Sequence, residues 1–279
     1  MKPAAGSSIL AAALIVSLVS LSPARALADE LPKDTNQIER LTPEQAKKLA
    51  AEFPGVWVVI DPSTTYMRRS LPLNGLNSLD AETATALAAY PEGPLLLDGL
   101  TTLDAATTKA LAEFKGSALW LNGLTTLDAA TAKALAEFKG DYLHLDGVTK
   151  LDVDIAKILA EFKGSWLGLG GLTTLDAATA KTLAALDKWD GNLSSIVAIE
   201  SPDSVEIAAA LAKHKGPLSL PKLKKISPKT LTALIEKEDV KIPLIETLEL
   251  IQEPDGSPTE DFIIPTGFQT RQKARQQGR

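Results

Sequence analysis

The sequence predicts an α/β solenoid, with strands forming a parallel sheet, helices a second layer and about 24 residues per turn. Two observations carry that prediction. From Leu71 the chain writes itself out five times, as "LPLNGLNSLDAETATALAAYPEGP", "LLLDGLTTLDAATTKALAEFKGSA", "LWLNGLTTLDAATAKALAEFKGDY", "LHLDGVTKLDVDIAKILAEFKGSW" and "LGLGGLTTLDAATAKTLAALDKWDGN". Within each row an L-x-L alternation of period two is followed by a break at Asx-Gly or Gly-Gly and then by a helical pattern. One such unit cannot bury its apolar side alone, so it must stack on copies of itself.

The elements follow in chain order. Lys2 precedes an apolar run, Ile9–Leu21, that ends near the small-residue signal Ala26-Leu27-Ala28, so residues 1–28 read as a cleavable export leader. That run is too short to span a bilayer as a permanent helix, and the reading places the mature chain in the periplasm or outside the cell. Residues 29–70 form an N-terminal cap with a partial copy, "RLTPEQAKKLAAEFPG", whose Thr42-Pro43 and Gln45 mark a helix start, and with the apolar "VWVVI" at 56–60.

Residues 71–192 hold the five regular rows. In each, Gly99, Gly123 or Gly147 is expected to take backbone angles that other residues resist, and an aspartate (Asp80, Asp104, Asp128, Asp152, Asp176) to cap the helix. Phe114-Lys115-Gly116 marks the helix end, with the cation in its last turn and the glycine at its terminus. Ala106, Ala110, Leu111 and Phe114 are assigned to the buried helix side and Lys109 and Glu113 to water, with Leu100 and Leu103 between the layers. Residues 193–250 hold looser copies from Leu193 and Leu218, with helix starts at Ser201-Pro202 and Ser227-Pro228, and the C-terminal cap. Residues 251–279 are expected to be largely unstructured, their basic end "TRQKARQQGR" suited otherwise to contact with an anionic surface.

The pattern L-x-L-x-G-L-x-x-L-D-x-x-x-x-x-A-L-A resembles the leucine-rich repeats, closest to their cysteine-containing subclass. Leu100, Leu124, Val148 and Leu172 stand where that family has Asn or Cys, so the family's ladder of side-chain hydrogen bonds is expected to be missing. The resemblance implies a right-handed horseshoe with parallel strands on the concave face and helices on the convex face, and a binding surface, with no catalytic residues to carry over.

Composition narrows the function. The chain has no cysteine, two histidines and a net charge of −6 over 279 residues, which excludes disulfides and thiolate chemistry and argues against nucleic acid as a partner. Neither nucleophile-elbow, P-loop, dinucleotide nor zinc-helix motifs occur, and no cofactor or metal is expected.

Rows differ mainly around the strand, at Pro94, Ala118, Tyr142 and Trp166 before the first leucine and at Leu96, Trp120, His144 and Gly168 between the leucines. These positions face away from the leucines, so Trp120, Tyr142, His144 and Trp166 are expected to cluster on the concave face, beside a recess opened by Gly168 and Gly170. The column Asn74, Asp98, Asn122, Asp146 suits tight turns, a calcium ladder being the alternative. Trp57, Phe114 and Phe138 are assigned to the core. The candidate ligand site is therefore Trp120, Tyr142, His144, Trp166, Asn122, Asp146, Asp98, Gly168 and Gly170, in a non-catalytic exported protein that binds a protein, peptide or glycan. Alternatives are a self-associating envelope component and, less favoured, a polysaccharide-active enzyme.

Overall fold

The computed structural model describes residues 32–61, 66–91, 93–254, 256–257 and 264–277; the expected leader lies outside them. Strand and helix alternate: α1 (Pro43–Glu52), β1 (Val56–Asp61), β2 (Tyr66–Pro72), α2 (Ala81–Leu87), β3 (Pro94–Leu96), α3 (Ala105–Ala112), β4 (Ala118–Trp120), α4 (Ala129–Ala136), β5 (Tyr142–His144), α5 (Val153–Leu159), β6 (Trp166–Gly168), α6 (Ala177–Ala184), β7 (Ala198–Ile199), α7 (Ser204–Ala212), β8 (Lys225–Ile226), α8 (Pro228–Ile235), β9 (Glu249–Leu250) and α9 (Thr266–Gln277). Strands β1 to β6 form one sheet in sequence order. It is mixed: β1 and β2 are an antiparallel hairpin, while β2 to β6 are parallel. A second parallel sheet joins β7, β8 and β9.

Register follows the 24-residue step, Leu71, Leu95, Leu119, Leu143 and Leu167 pairing in succession. Both leucines of each strand are fully buried, and so are Leu76, Leu100, Val148 and Leu172 beyond the turn. The helix layer closes over them with a spine of Phe114, Phe138 and Phe162, stacked at 6.3 Å between successive rings and nearly parallel. Among the described residues no helix is long and apolar enough to cross a membrane.

Each aspartate expected at a helix start caps it: Asp80, Asp104, Asp128 and Asp176 accept from the backbone N–H of Thr83, Thr107, Thr131 and Thr179 at 2.7–2.8 Å, and Asp152 from Asp154 and Ile155. Thr42 and Gln45 form a reciprocal capping box on α1.

Several local assignments are corrected. The buried helix side of α3 is Thr107, Thr108 and Leu111, while Ala106 is exposed and Ala110 and Leu103 half-buried. The threonines belong inside because their hydroxyls have partners: Thr107 Oγ1 donates to Asp104 Oδ2 at 3.0 Å, with Leu79 O of the preceding row 3.5 Å away, and Thr108 Oγ1 donates to Asp104 O. Gly99, Gly123 and Gly147 do not take the left-handed conformation. They are required by close stacking, since a Cβ at Gly123 would strike the carbonyls of Asp98 and Leu100 in the row below. The helix ends before Phe114-Lys115-Gly116, at Ala112, with Glu113 as a right-handed cap.

Helix α7 starts at Ser204, past Ser201-Pro202. Its N-cap Asp203 makes no cap hydrogen bond and accepts from Ala177 N at the start of α6 instead. Trp57 is 61% exposed on β1, not in the core. Residues 266–277, expected to lack structure, form α9, whose Phe268 is buried and whose Gln272 donates to Pro243 O at 3.0 Å.

Register beyond β6 also differs from the row alignment. Leu193 N donates to Ser219 O as Leu145 N does to Gly168 O, so Leu193 is a second strand leucine, 24 residues after Leu169. Gly191 takes the first leucine's place with φ of +67°, and a Cβ there would run into the Pro217 carbonyl. Asn192 consequently pairs with Ser219, and Trp189, 2% exposed, bridges to Leu167.

Candidate functional site

Strand pairing determines which side chains meet. Trp120 is in register with His144 and His144 with Gly168, and Tyr142 is in register with Trp166. All five alternate with buried leucines and therefore share one sheet face. Trp166 leans across its strand, so that His144 lies between two indoles, with ring centroids 4.5 Å from Trp120 and 4.2 Å from Trp166 and both pairs tilted by 41°. Tyr142 adds a fourth ring, 6.5 Å from Trp166. The imidazole is only 6% exposed, while Trp120, Tyr142 and Trp166 remain half-buried. The expected ring cluster is thus formed, but its histidine is packing within it rather than a group presented to solvent.

The recess expected beside the rings is closed. A Cβ at Gly168 would lie 2.5 Å from the Trp166 ring and 2.9 Å from Asp146 Oδ2. At Gly170 the space is taken by Asn192 Nδ2, Asp146 Oδ1 and Ser194 Oγ, all 3.1–3.2 Å from such a Cβ. The glycines make room for neighbours of this chain, and the face is a surface strip rather than a cavity.

Leu100, Leu124, Val148 and Leu172, where no ladder was expected, are apolar and buried; a ladder of side-chain hydrogen bonds runs instead along the Asx column that the sequence assigned to turns, on the same sheet face as the rings. Asn74 Oδ1 accepts from Asp98 N at 3.1 Å, Asp98 Oδ1 from Asn122 N at 2.9 Å, Asn122 Oδ1 from Asp146 N at 2.9 Å and Asp146 Oδ1 from Gly170 N at 2.7 Å. These are inter-row bonds, each 24 residues apart. The polar position has moved to the strand side of the turn, leaving Leu100, Leu124, Val148 and Leu172 free to fill the core. Among the described residues no group of three His, Asp or Glu could hold a metal ion.

The electrostatics follow from burial. Asp146 Oδ2 is 3.7 Å from His144 Nδ1, while His144 Nε2 and Trp120 Nε1 are buried without a hydrogen-bond partner among the described residues. Burial pushes the Asp98 carboxyl above its usual range, against the hydrogen bond from Asn122 that lowers it. The same cause raises Asp190 to about 7, with the charge of Asp146 adding to it, although Asp190 Oδ1 accepts from Asn192 N at 3.0 Å.

Two features escaped the sequence reading. Asp190 and Trp189 were hidden in "DKWDGN", where the row alignment was two residues out of phase; its Asp-Gly pair was the available signal. His214 sits in the turn after α7, packed 4.9 Å from Trp189 in the slot that phenylalanine fills in other rows. A scan against protein-family models and a search of curated proteins return no match to this chain.

Proposed function

We propose that the chain is an exported leucine-rich-repeat horseshoe that binds a protein, peptide or glycan on its concave, strand-lined face and performs no catalysis. One observation carries the reading: Trp120, Tyr142 and Trp166 stand half-exposed on a single sheet face, with Trp120 and Trp166 packed on either side of His144. Aromatic rings already fixed by neighbours lose little conformational freedom on binding and desolvate well against a partner. The filled positions over Gly168 and Gly170 favour an extended or macromolecular ligand over an enclosed small molecule.

The experiment is a binding profile of the purified protein against immobilised cell-surface protein, peptide and glycan fractions, repeated with a Trp120→Ala/Trp166→Ala variant shown to be folded. A fraction retained by the wild type and lost by the variant supports the reading. Equal retention by both removes it.

A further inference from the structure

A second surface lies at the turn edge of the stack, away from the aromatic strip. A groove of about 610 Å³ runs past the β1–β2 hairpin and the turns that lead into β3, β4 and β5. Among the described residues its walls carry Arg68, Arg69, Lys115 and Lys139 and one carboxylate, Asp141. Lys115 also has a partner in Glu113 at 3.7 Å, but both side chains are two-thirds exposed, so water screens that pair. In a chain whose net charge is −6 this is a local reversal of sign.

The groove also holds the largest exposed ring. Trp57 is 61% exposed, paired across the hairpin with Arg69, whose guanidinium lies 5.6 Å from the indole centroid. Arg69 Nη1 donates in turn to Pro54 O at 3.2 Å. The indole is therefore oriented by its neighbour while much of it stays open to a ligand. An isolated exposed tryptophan needs no explanation, but one braced by arginine in a cationic groove does.

The floor is periodic. Ser117 N donates to Gly93 O and Asp141 N to Ser117 O, so the turns are themselves rungs, about 4.8 Å apart as the strands they feed. Lys115 and Lys139 occupy the same place on successive rungs, 24 residues apart. Regularly spaced cations beside a flat ring match a regularly spaced polyanion with apolar ring faces, rather than a single small anion.

We propose that this groove is a binding site for an acidic polysaccharide, with Trp57 stacking on a sugar ring and Arg68, Arg69, Lys115 and Lys139 meeting its carboxylates or sulfates. The site is independent of the strand-face reading and shares no residue with it.

Titration calorimetry with polygalacturonate oligomers at low ionic strength tests it, with neutral dextran and a single-stranded oligodeoxynucleotide as comparison ligands. Polygalacturonate should bind, weaken as salt is added and outcompete both comparisons. Trp57→Ala and, separately, Arg68→Ala/Lys139→Ala should each weaken it at least about tenfold without changing the circular dichroism spectrum, since these side chains are exposed. Trp120→Ala/Trp166→Ala should leave it unchanged, so that failure of one site is distinguishable from failure of the other. Absence of binding, equal affinity in the groove variants, or an oligonucleotide bound as tightly as the glycan overturns the proposal.

Discussion

Asn74, Asp98, Asn122 and Asp146 each supply the one acceptor that the next strand's amide lacks once the chain turns away from the sheet. The ladder uses Asp98 as an acceptor, and burial works against its charge by holding the carboxyl above its usual range. Asp98→Asn keeps a carbonyl oxygen and is expected to leave stability unchanged or slightly raised at pH 7. Asp98→Ala orphans Asn122 N and should cost about 1–3 kcal/mol, measured by urea unfolding. Asp190 gives a second prediction. Its folded pKa, about 7, lies above its unfolded value, so the folded state holds the proton more tightly and stability falls as pH rises from about 4 through 7. Asp190→Asn should flatten that slope, as read from the denaturation midpoint across the range. The Asx-Gly pairs were readable as turns, but whether an Asx oxygen serves its own turn or the next row depends on how closely rows approach, which no local pattern encodes.

At the scale of elements, the caps and the core leucines were legible because both obey short-range rules: an oxygen three residues before an open amide, and an apolar side at the period of the strand. Asp128→Ala removes such a cap and is expected to cost about 1 kcal/mol, while Leu100→Ala, fully buried, should cost about 2–5 kcal/mol by leaving a cavity. Hydrogen bonds from Thr83, Thr107 and Thr131 lower the pKa of Asp80, Asp104 and Asp128. Their stabilisation is therefore present above the ordinary carboxylate range and is lost as pH falls below about 4, the opposite sense to Asp190. The phase of the helices was less legible. Thr107, Thr131 and Thr179 are buried with the hydroxyl 3.5 Å from a carbonyl of the previous row, an environment invisible to a hydropathy count. The start of α7 moved for a similar reason, Asp203 being committed to α6.

For the whole molecule, one step of 24 residues organises the sheet, the phenylalanine spine and the amide ladder together. That periodicity was visible in the sequence from Leu71 onward, and it continues through Gly191 where the leucine signal stops, because a residue without a side chain still holds the place. The docking of α9 was not visible, since a single buried Phe268 amid polar residues carries no periodic signal. If nearest-neighbour stacking is the source of stability, deleting residues 119–142 as one whole row should preserve a cooperative thermal transition and bring Leu95 beside Leu143, whereas deleting half a row should abolish it.

The stacking of Trp120, His144 and Trp166 from three successive strands is where fold and proposed function meet, and nuclear Overhauser contacts from the His144 ring measure it directly. Cross-peaks from that ring to both indoles are the predicted result. A His144 ring that shows contacts to neither, and exchanges freely with solvent, would contradict the account.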